Sequence, residues 1–415
     1  MPKFTVICPV CHRQLDTGFL PACPEHAALV QTQFDKCVPN PGGRAGLGRF
    51  LDWMPCERLP EDAGGPVTYR SAELAGNLGL DQLVISFNGY WPERGAVCCS
   101  GTFKEYEARI TLQRLQELGH KHLVLASAGN TGRAFAQLFR GSGVRLILVV
   151  PQSSAKDIWL CEPECPELTL LGVRDGDYFD AIQLADRICR LTGYLPEGGA
   201  RNIARRAGLS LPLVDAVLTL GDIPEHYFQA VGSGTGGIAA HEAVVRFAAT
   251  GQYRNRQMQL HLVQNDPFIP MVNAYRRGSR TIDPVLDMAD AAALTSVCAR
   301  MLTNRRPPYT IVGGVFDVLQ ASHGEMWAVT NAQAREAQAL FAACEGVDVE
   351  PEAGVALAAL QCAIATGRVA RDAVILLNVT GGGVQRLKQD IPVWLPSPTI
   401  VEVNCDDAEL RALTG

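Results

Sequence analysis

Short apolar runs that end in glycine-containing turns and lead into stretches at helical spacing recur along this chain. That alternation constrains its fold more than any other feature. His122-Leu-Val-Leu-Ala-Ser127 precedes a helical pattern from Thr131 to Arg140, and Arg145-Leu-Ile-Leu-Val-Val150 reads as the next strand, stopped by Pro151. Tyr178 to Leu191 carries Ile182, Ala185 and Ile188 on one helical face. Tyr227-Phe-Gln-Ala-Val231 is a further strand, running into Gly232-Ser-Gly-Thr-Gly-Gly237 and then a helix-like stretch from Ile238 to Ala249. Near the end, 332–343 and Ala353 to Ala365 read as helices and Ala373 to Val379 as a buried strand. Strands alternating with helices predict an α/β fold with mostly parallel sheets and right-handed crossovers. In such sheets ligands bind at the carboxyl ends of strands, where loops lead into helices.

Composition narrows the function classes. At roughly 150 residues per domain, 415 residues predict two large lobes with room for a small extra module. Hydrophobic residues at 47% against 19% charged exclude a disordered chain. A net charge of −6 argues against a nucleic-acid partner, which calls for a basic surface. No apolar run reaches the length of a membrane span, and Met1-Pro2-Lys3-Phe4-Thr5 opens no signal-peptide core, so a soluble cytoplasmic protein is expected. Most of the fourteen cysteines, among them Cys189, Cys298, Cys344 and Cys362, stand alone in apolar stretches, where a reduced thiol acts as a small hydrophobe.

Only the N-terminal cysteines are spaced for chemistry. Cys8-Pro-Val-Cys11 is followed, eleven residues on, by Cys23-Pro-Glu-His26. Two pairs of soft ligands suit closed tetrahedral zinc in a structural role, with Cys37 an alternative to His26. Reduced thiols beside a surface histidine fit the same residues. Pro39-Asn40-Pro41-Gly42-Gly43 closes this module at about residue 40. Lys3, Arg13 and Lys36 are too few to make it a nucleic-acid reader.

Four segments lie where a strand hands over to a helix: Ser100-Gly-Thr-Phe-Lys104, Ser127-Ala-Gly-Asn130-Thr-Gly132, Gly232–Gly237 and Asn378-Val-Thr380-Gly-Gly-Gly383. Singly they say little. A lone lysine is usually solvated, Asn130 fits an ordinary turn, and the glycine stretch suits several phosphate ligands. No Lys-Ser or Lys-Thr follows the glycines, so it is not a P-loop, and it does not sit in the early strand–helix unit of a dinucleotide fingerprint.

Together and in this order, the four segments resemble the fold-type II pyridoxal-phosphate enzymes, the threonine synthase and cysteine synthase group, from about residue 65 to about residue 390. The resemblance implies that Lys104 forms the Schiff base with pyridoxal 5′-phosphate and that Asn130 bonds the 3′-hydroxyl of its ring. It further implies that Ser233, Gly234, Thr235, Gly236 and Gly237 cradle the phosphate and that Thr380 meets the ring nitrogen. Ser127, Ala128, Gly129, Asn130 and Thr131 belong to the loop that holds the substrate carboxylate in relatives. The chain departs from the Asn-Pro-Thr-Gly-Ser-Phe-Lys-Asp-Arg string usual in threonine synthases, reading Cys99-Ser-Gly-Thr-Phe-Lys104-Glu-Tyr106 after Phe87-Asn-Gly-Tyr-Trp-Pro-Glu-Arg-Gly95. With Lys104-Glu-Tyr-Glu-Ala108 and Ala126–Ala136, it looks like the cysteate synthase subgroup, which replaces the phosphate of O-phospho-L-serine with sulfite on the way to coenzyme M. A threonine synthase acting on O-phosphohomoserine, or another β-replacement or elimination enzyme, is the alternative.

The resemblance implies a large lobe from 41–114 and 223–415, a small lobe at 115–222, a cofactor cleft between them and a homodimer. A phospho-amino acid and sulfite both need positive charge nearby, and Arg94, Arg109, Arg133 and Lys156 are the candidates. Cys98-Cys99 and Glu350-Pro351-Glu352 read as packing and architectural residues, and His323 has no assigned partner.

Overall fold

The computed structural model describes residues 3–35, 38–40, 42–60, 64–127, 129–253, 256–288, 294 and 296–415. Six strands form the larger sheet, in the order Glu325–Val329, Gln259–Asn265, His226–Ala230, Val374–Val379, Gln82–Phe87 and Val67–Arg70. All neighbours are parallel except the last pair, in which Val67 opposes Phe87. Because successive side chains leave a strand on opposite faces, Tyr227 and Leu376 pack on one side with Ile110, Leu209 and Ile238. Phe228, Ile375 and Leu377 face the other side and meet Phe341 and Leu357. Helices Lys104–Glu117, Ile203–Leu220 and Thr235–Ala249 thus cover one face, and Asn331–Glu345 and Pro351–Ala365 the other.

The smaller sheet is fully parallel, in the order Leu195–Pro196, His122–Ala126, Arg145–Pro151, Leu168–Val173 and Thr399–Val401. The same alternation sends Leu123, Leu125, Leu146 and Leu148 toward Phe135 and Phe139, and Val124, Ile147 and Val149 toward Ala181 and Ile188. Helix Tyr178–Thr192 begins at a reciprocal cap between Asp177 and Asp180 and ends on Gly193 at φ 73°.

Two segments sit differently from the boundaries expected of the sequence. Thr399–Val401 pairs with Leu171–Val173, and helix Asp407–Thr414 packs beside it, so the C-terminus completes the smaller sheet. Helix Ile203–Leu220, expected in the smaller lobe, packs on the larger sheet through Leu209, Leu213 and Val217. Its Gly208 is where it crosses helix Lys104–Glu117, since a Cβ there would stand 2.7 Å from the Glu107 Cα.

The N-terminal residues form a three-stranded antiparallel sheet, Gln14–Leu15, Phe4–Ile7 and Gln31–Phe34. Among the described residues, no helix is long and apolar enough to cross a membrane.

Candidate active site

A cavity of about 130 Å³ opens between the two sheets. Lys104, Ser127, Gly129, Asn130, Thr131, the stretch Gly232–Gly236 and Thr380 all line it, so four segments far apart in sequence converge. Gly237 does not line it; a Cβ there would meet Leu262, which makes this glycine a helix-to-sheet contact. Ala128 lies outside the described residues.

Ser127, the glycine stretch and Thr380 each follow the end of a strand. His226–Ala230 stops short of the glycines, Gly234 takes φ 79° as the residue before helix Thr235–Ala249, and the first-turn amides have no partner within the helix. Ser233 Oγ accepts from the Thr235 amide at 3.3 Å and lies 2.9 Å from Thr235 Oγ1. A Cβ at Gly232 would come within 2.9 Å of the Met301 carbonyl, so only a bare backbone fits there. Amides at a helix N-terminus beside such a cradle, held within the loop, among the described residues, by nothing stronger than the long Thr235–Ser233 contact, suit a phosphate dianion. Val374–Val379 ends at Thr380, whose carbonyl accepts from the Phe103 amide at 2.9 Å and so ties this strand end to the start of helix Lys104–Glu117.

Lys104 opens that helix and lies in a charged, enclosed setting. Its Nζ is 3.7 Å from Glu107 Oε2, and 19% of its side-chain surface is exposed. Burial pulls its pKa below the usual lysine value, while Glu107 pulls the other way. Glu107 is fully buried and also meets Arg205 Nε at 3.1 Å and the Thr131 hydroxyl at 3.1 Å. Arg205 in turn donates to Glu197 at 2.7 Å. Burial opposes the Arg205 charge, but the two carboxylates outweigh it and raise its pKa.

Asn130 begins helix Asn130–Phe139, and its Nδ2 donates to Glu350 Oε2 at 2.6 Å, while Arg133 donates to Glu350 Oε1 at 2.7 Å. Glu350 therefore does more than shape a turn: it orients the asparagine. Its neighbour Glu352 lines the cavity with a carboxyl pushed up to about 8 by burial and by the Glu350 charge.

None of the four cations expected near the substrate lines the cavity. Arg94 stacks on Tyr69 and Trp91, Arg109 pairs with Glu105, Arg133 is held by Glu350, and Lys156 is exposed on a neighbouring turn. Arg205 and Arg300 line it instead. Arg300 forms no ion pair among the described residues, and it follows a short apolar segment with no motif to mark it. Cys98 is buried against the Tyr106 hydroxyl, Cys99 lies beside Cys161, and neither reaches the cavity.

The N-terminal ligand set does assemble. Cys8, Cys11, Cys23 and His26 place their ligand atoms within 4.8 Å of one another, with Cys11 Sγ and Cys23 Sγ 3.8 Å apart and Cys23 Sγ 3.5 Å from His26 Nδ1. Tetrahedral zinc with bonds of about 2.3 Å puts two sulfurs about 3.8 Å apart, so the set fits a closed zinc site. The Cys11 amide and the neighbouring thiols pull the Cys8 thiol down to about 7, toward the thiolate that a metal requires. Cys37 lies outside the described residues.

A family profile described as pyridoxal-phosphate dependent enzyme matches residues 97–381, from just before the Lys104 segment to the Thr380 turn. The chain belongs to that family, whose cofactor is pyridoxal phosphate. Within it, relatives that match along nearly the whole chain include cysteate synthases. That of Methanosarcina acetivorans is 43% identical over 408 residues, covering 98% of each chain. That of Methanoregula boonei is 47% identical over 381 residues, 91% of this chain and 89% of the other. The solved L-serine ammonia-lyase from Rhizomucor miehei matches with a TM-score of 0.57 at 17% identity, over 78% of this chain and 98% of that one, which shows the shared fold.

Proposed function

We propose that this protein replaces the phosphate of O-phospho-L-serine with sulfite, forming L-cysteate for coenzyme M synthesis. The similarity to cysteate synthases along nearly the whole of both chains carries the proposal. Bound pyridoxal phosphate supplies the electron sink that makes the substrate Cα proton acidic and the β-substituent a leaving group. The rest falls to the protein. Lys104, with its pKa lowered by burial, is the residue that holds the cofactor and then moves the Cα proton at its Nζ. The amides from Ser233 to Gly236, with Gly237 fixing the helix against the sheet, receive the cofactor phosphate. Asn130, steered by Glu350, addresses the ring hydroxyl. Thr380, which lines the cavity at the end of strand Val374–Val379, would meet the ring nitrogen with a hydroxyl; unlike a carboxylate, that group would not stabilise a protonated ring, which would favour β-replacement over transamination. Ser127, Gly129 and Thr131, with Ala128 between them, hold the substrate carboxylate.

Breaking the Cβ–O bond releases a phosphate dianion, and forming the Cβ–S bond brings in an anion. Both need a cation not already neutralised. Lys104 and Arg205 each stand within ion-pair distance of a carboxylate, whereas among the described residues Arg300 has none that close and only feels Asp157 at longer range, so Arg300 is assigned to the incoming and departing anions. Cys8, Cys11, Cys23 and His26 hold a structural zinc that pins the three N-terminal strands. A homodimer in the cytoplasm completes the proposal.

Phosphate release from O-phospho-L-serine, compared with O-phosphohomoserine, tests the substrate assignment. Release from phosphoserine alone is expected. Release from phosphohomoserine alone makes the protein a threonine synthase.

A further inference from the structure

Lys104, Glu107, Arg205 and Glu197 form an unbroken line of alternating charge in the cavity wall, with Lys104 and Arg205 lining the cavity and separations of 3.7, 3.1 and 2.7 Å. Apart from Lys104, this line holds two carboxylates and one guanidinium. Both carboxylates are buried, Glu107 at 0% exposure, and Glu197 is further fixed by the Gly199 amide at 2.9 Å. A buried set with one unmatched negative charge is costly, and a proton on Lys104 Nζ balances it. Glu107 has no room to swing away. Its Cα sits against Gly208 at the helix crossing, and Thr131 and Arg205 occupy its carboxylate.

We infer that Glu107 is a positioning residue whose carboxylate holds the proton on Lys104 Nζ between its removal from the substrate Cα and its return. This rests on the reaction proposed above. The Cα–H bond breaks, the proton moves to Nζ, and the electron pair stays with the substrate. Once Cβ–S has replaced Cβ–O, Nζ gives the proton back to Cα. Glu107 itself neither gains nor loses a proton; it changes how strongly Nζ keeps one. The charged and titratable groups facing Lys104 are Glu107 on its own helix, Arg205 and Glu197 behind it, Tyr178 from the smaller lobe, and Arg300 and Glu352 across the cavity. Of the carboxylates, Glu107 is at ion-pair distance from Nζ among the described residues.

The test uses the holoenzyme and two readouts against pH: phosphate release from O-phospho-L-serine, and the absorbance of the bound cofactor, which reports protonation of its linkage to the lysine. In Glu107→Gln the acidic limb of the rate profile and the absorbance midpoint are both expected to fall by about one to three pH units. A purely structural role would lower the amount of folded protein and leave both midpoints in place. A Glu107→Gln enzyme that binds cofactor with unmoved midpoints overturns the inference. Should that variant not fold, Glu107→Asp draws the charge back by one methylene and is expected to move the midpoints down by less; no movement there is equally fatal. If the wild-type protein binds cofactor but releases no phosphate, the proposed reaction fails. The absorbance midpoint then still decides on Glu107.

Discussion

Replacing Arg205 with methionine removes the one guanidinium from between two buried carboxylates while roughly preserving volume. Arg205 approaches Glu107 at 3.1 Å and Glu197 at 2.7 Å, and neither carboxylate has water to fall back on. With an effective dielectric of about 20, each contact has a gross Coulomb energy of about 5–6 kcal/mol, most of it offset by the desolvation of the charges. Breaking a buried pair by removing one partner typically costs about 3–5 kcal/mol, which we take as the expected loss for Arg205→Met. Spread over an unfolding entropy of about 2.1 cal/mol/K per residue, that loss corresponds to a fall in Tm of about 3–6 °C for a chain of 415 residues. Urea and thermal unfolding followed by circular dichroism measure it. Adding Glu107→Gln removes one of the stranded charges, and the double variant is expected to regain about 1–3 kcal/mol relative to Arg205→Met. If Arg205→Met unfolds within about 1 kcal/mol of wild type, or if the double variant is the sum of the singles, the charge line does not carry the energy argued for it.

Three further outcomes are expected. Arg300→Ala should raise the KM for sulfite by about ten- to a hundredfold, the worth of one charge-assisted contact of about 1.5–3 kcal/mol, with cofactor content unchanged; an unaltered sulfite KM removes Arg300 from the site. Purified protein should contain close to one zinc per chain by elemental analysis, and the double variant Cys8→Ser, Cys11→Ser should contain none; equal zinc in both would dismiss the cluster as a metal site. His261 is buried, accepts from Trp327 Nε1 at 3.0 Å, and has a pKa pulled down to about 3 by burial. The unfolded chain therefore binds a proton that the folded one refuses. The stability this group contributes is complete above about pH 6.5 and is lost as pH falls, by at most about 1.4 kcal/mol per pH unit. Urea midpoints at pH 7 and pH 5 should separate in wild type and draw together in His261→Gln, which keeps an acceptor for Trp327; an equal separation in both rejects the assignment.

What the sequence made legible was local. The runs around residues 123, 146, 228 and 376 announce their strands because a parallel sheet buried on both faces needs continuous apolar stretches. Gly232 to Gly237 announces a turn into a helix, and the Cys8, Cys11, Cys23 and His26 spacing survives into three dimensions because a small hairpin sheet brings its ends together. Relations between distant segments were illegible. Arg205 and Arg300 reach the cavity only through the packing of two lobes, and neither has a sequence pattern that sets it apart from exposed arginines. Glu350 looked like part of a turn because its partners, Asn130 and Arg133, lie some two hundred residues away. Glu107 sat in plain view three residues after Lys104, yet its isolation from water depends on Gly208 crossing a different helix. Thr399–Val401 is too short to show a period, and only the free edge at Leu171–Val173 gives it a place.

The most direct measurement is mass detection of product from protein, pyridoxal phosphate, O-phospho-L-serine and sulfite, run beside Lys104→Ala and beside a reaction without sulfite. Cysteate that appears only with sulfite and only in the protein that keeps Lys104 is the predicted result. Phosphate and pyruvate without cysteate would contradict sulfite as the nucleophile, and cysteate formed at the normal rate by Lys104→Ala would contradict the assignment of the site itself.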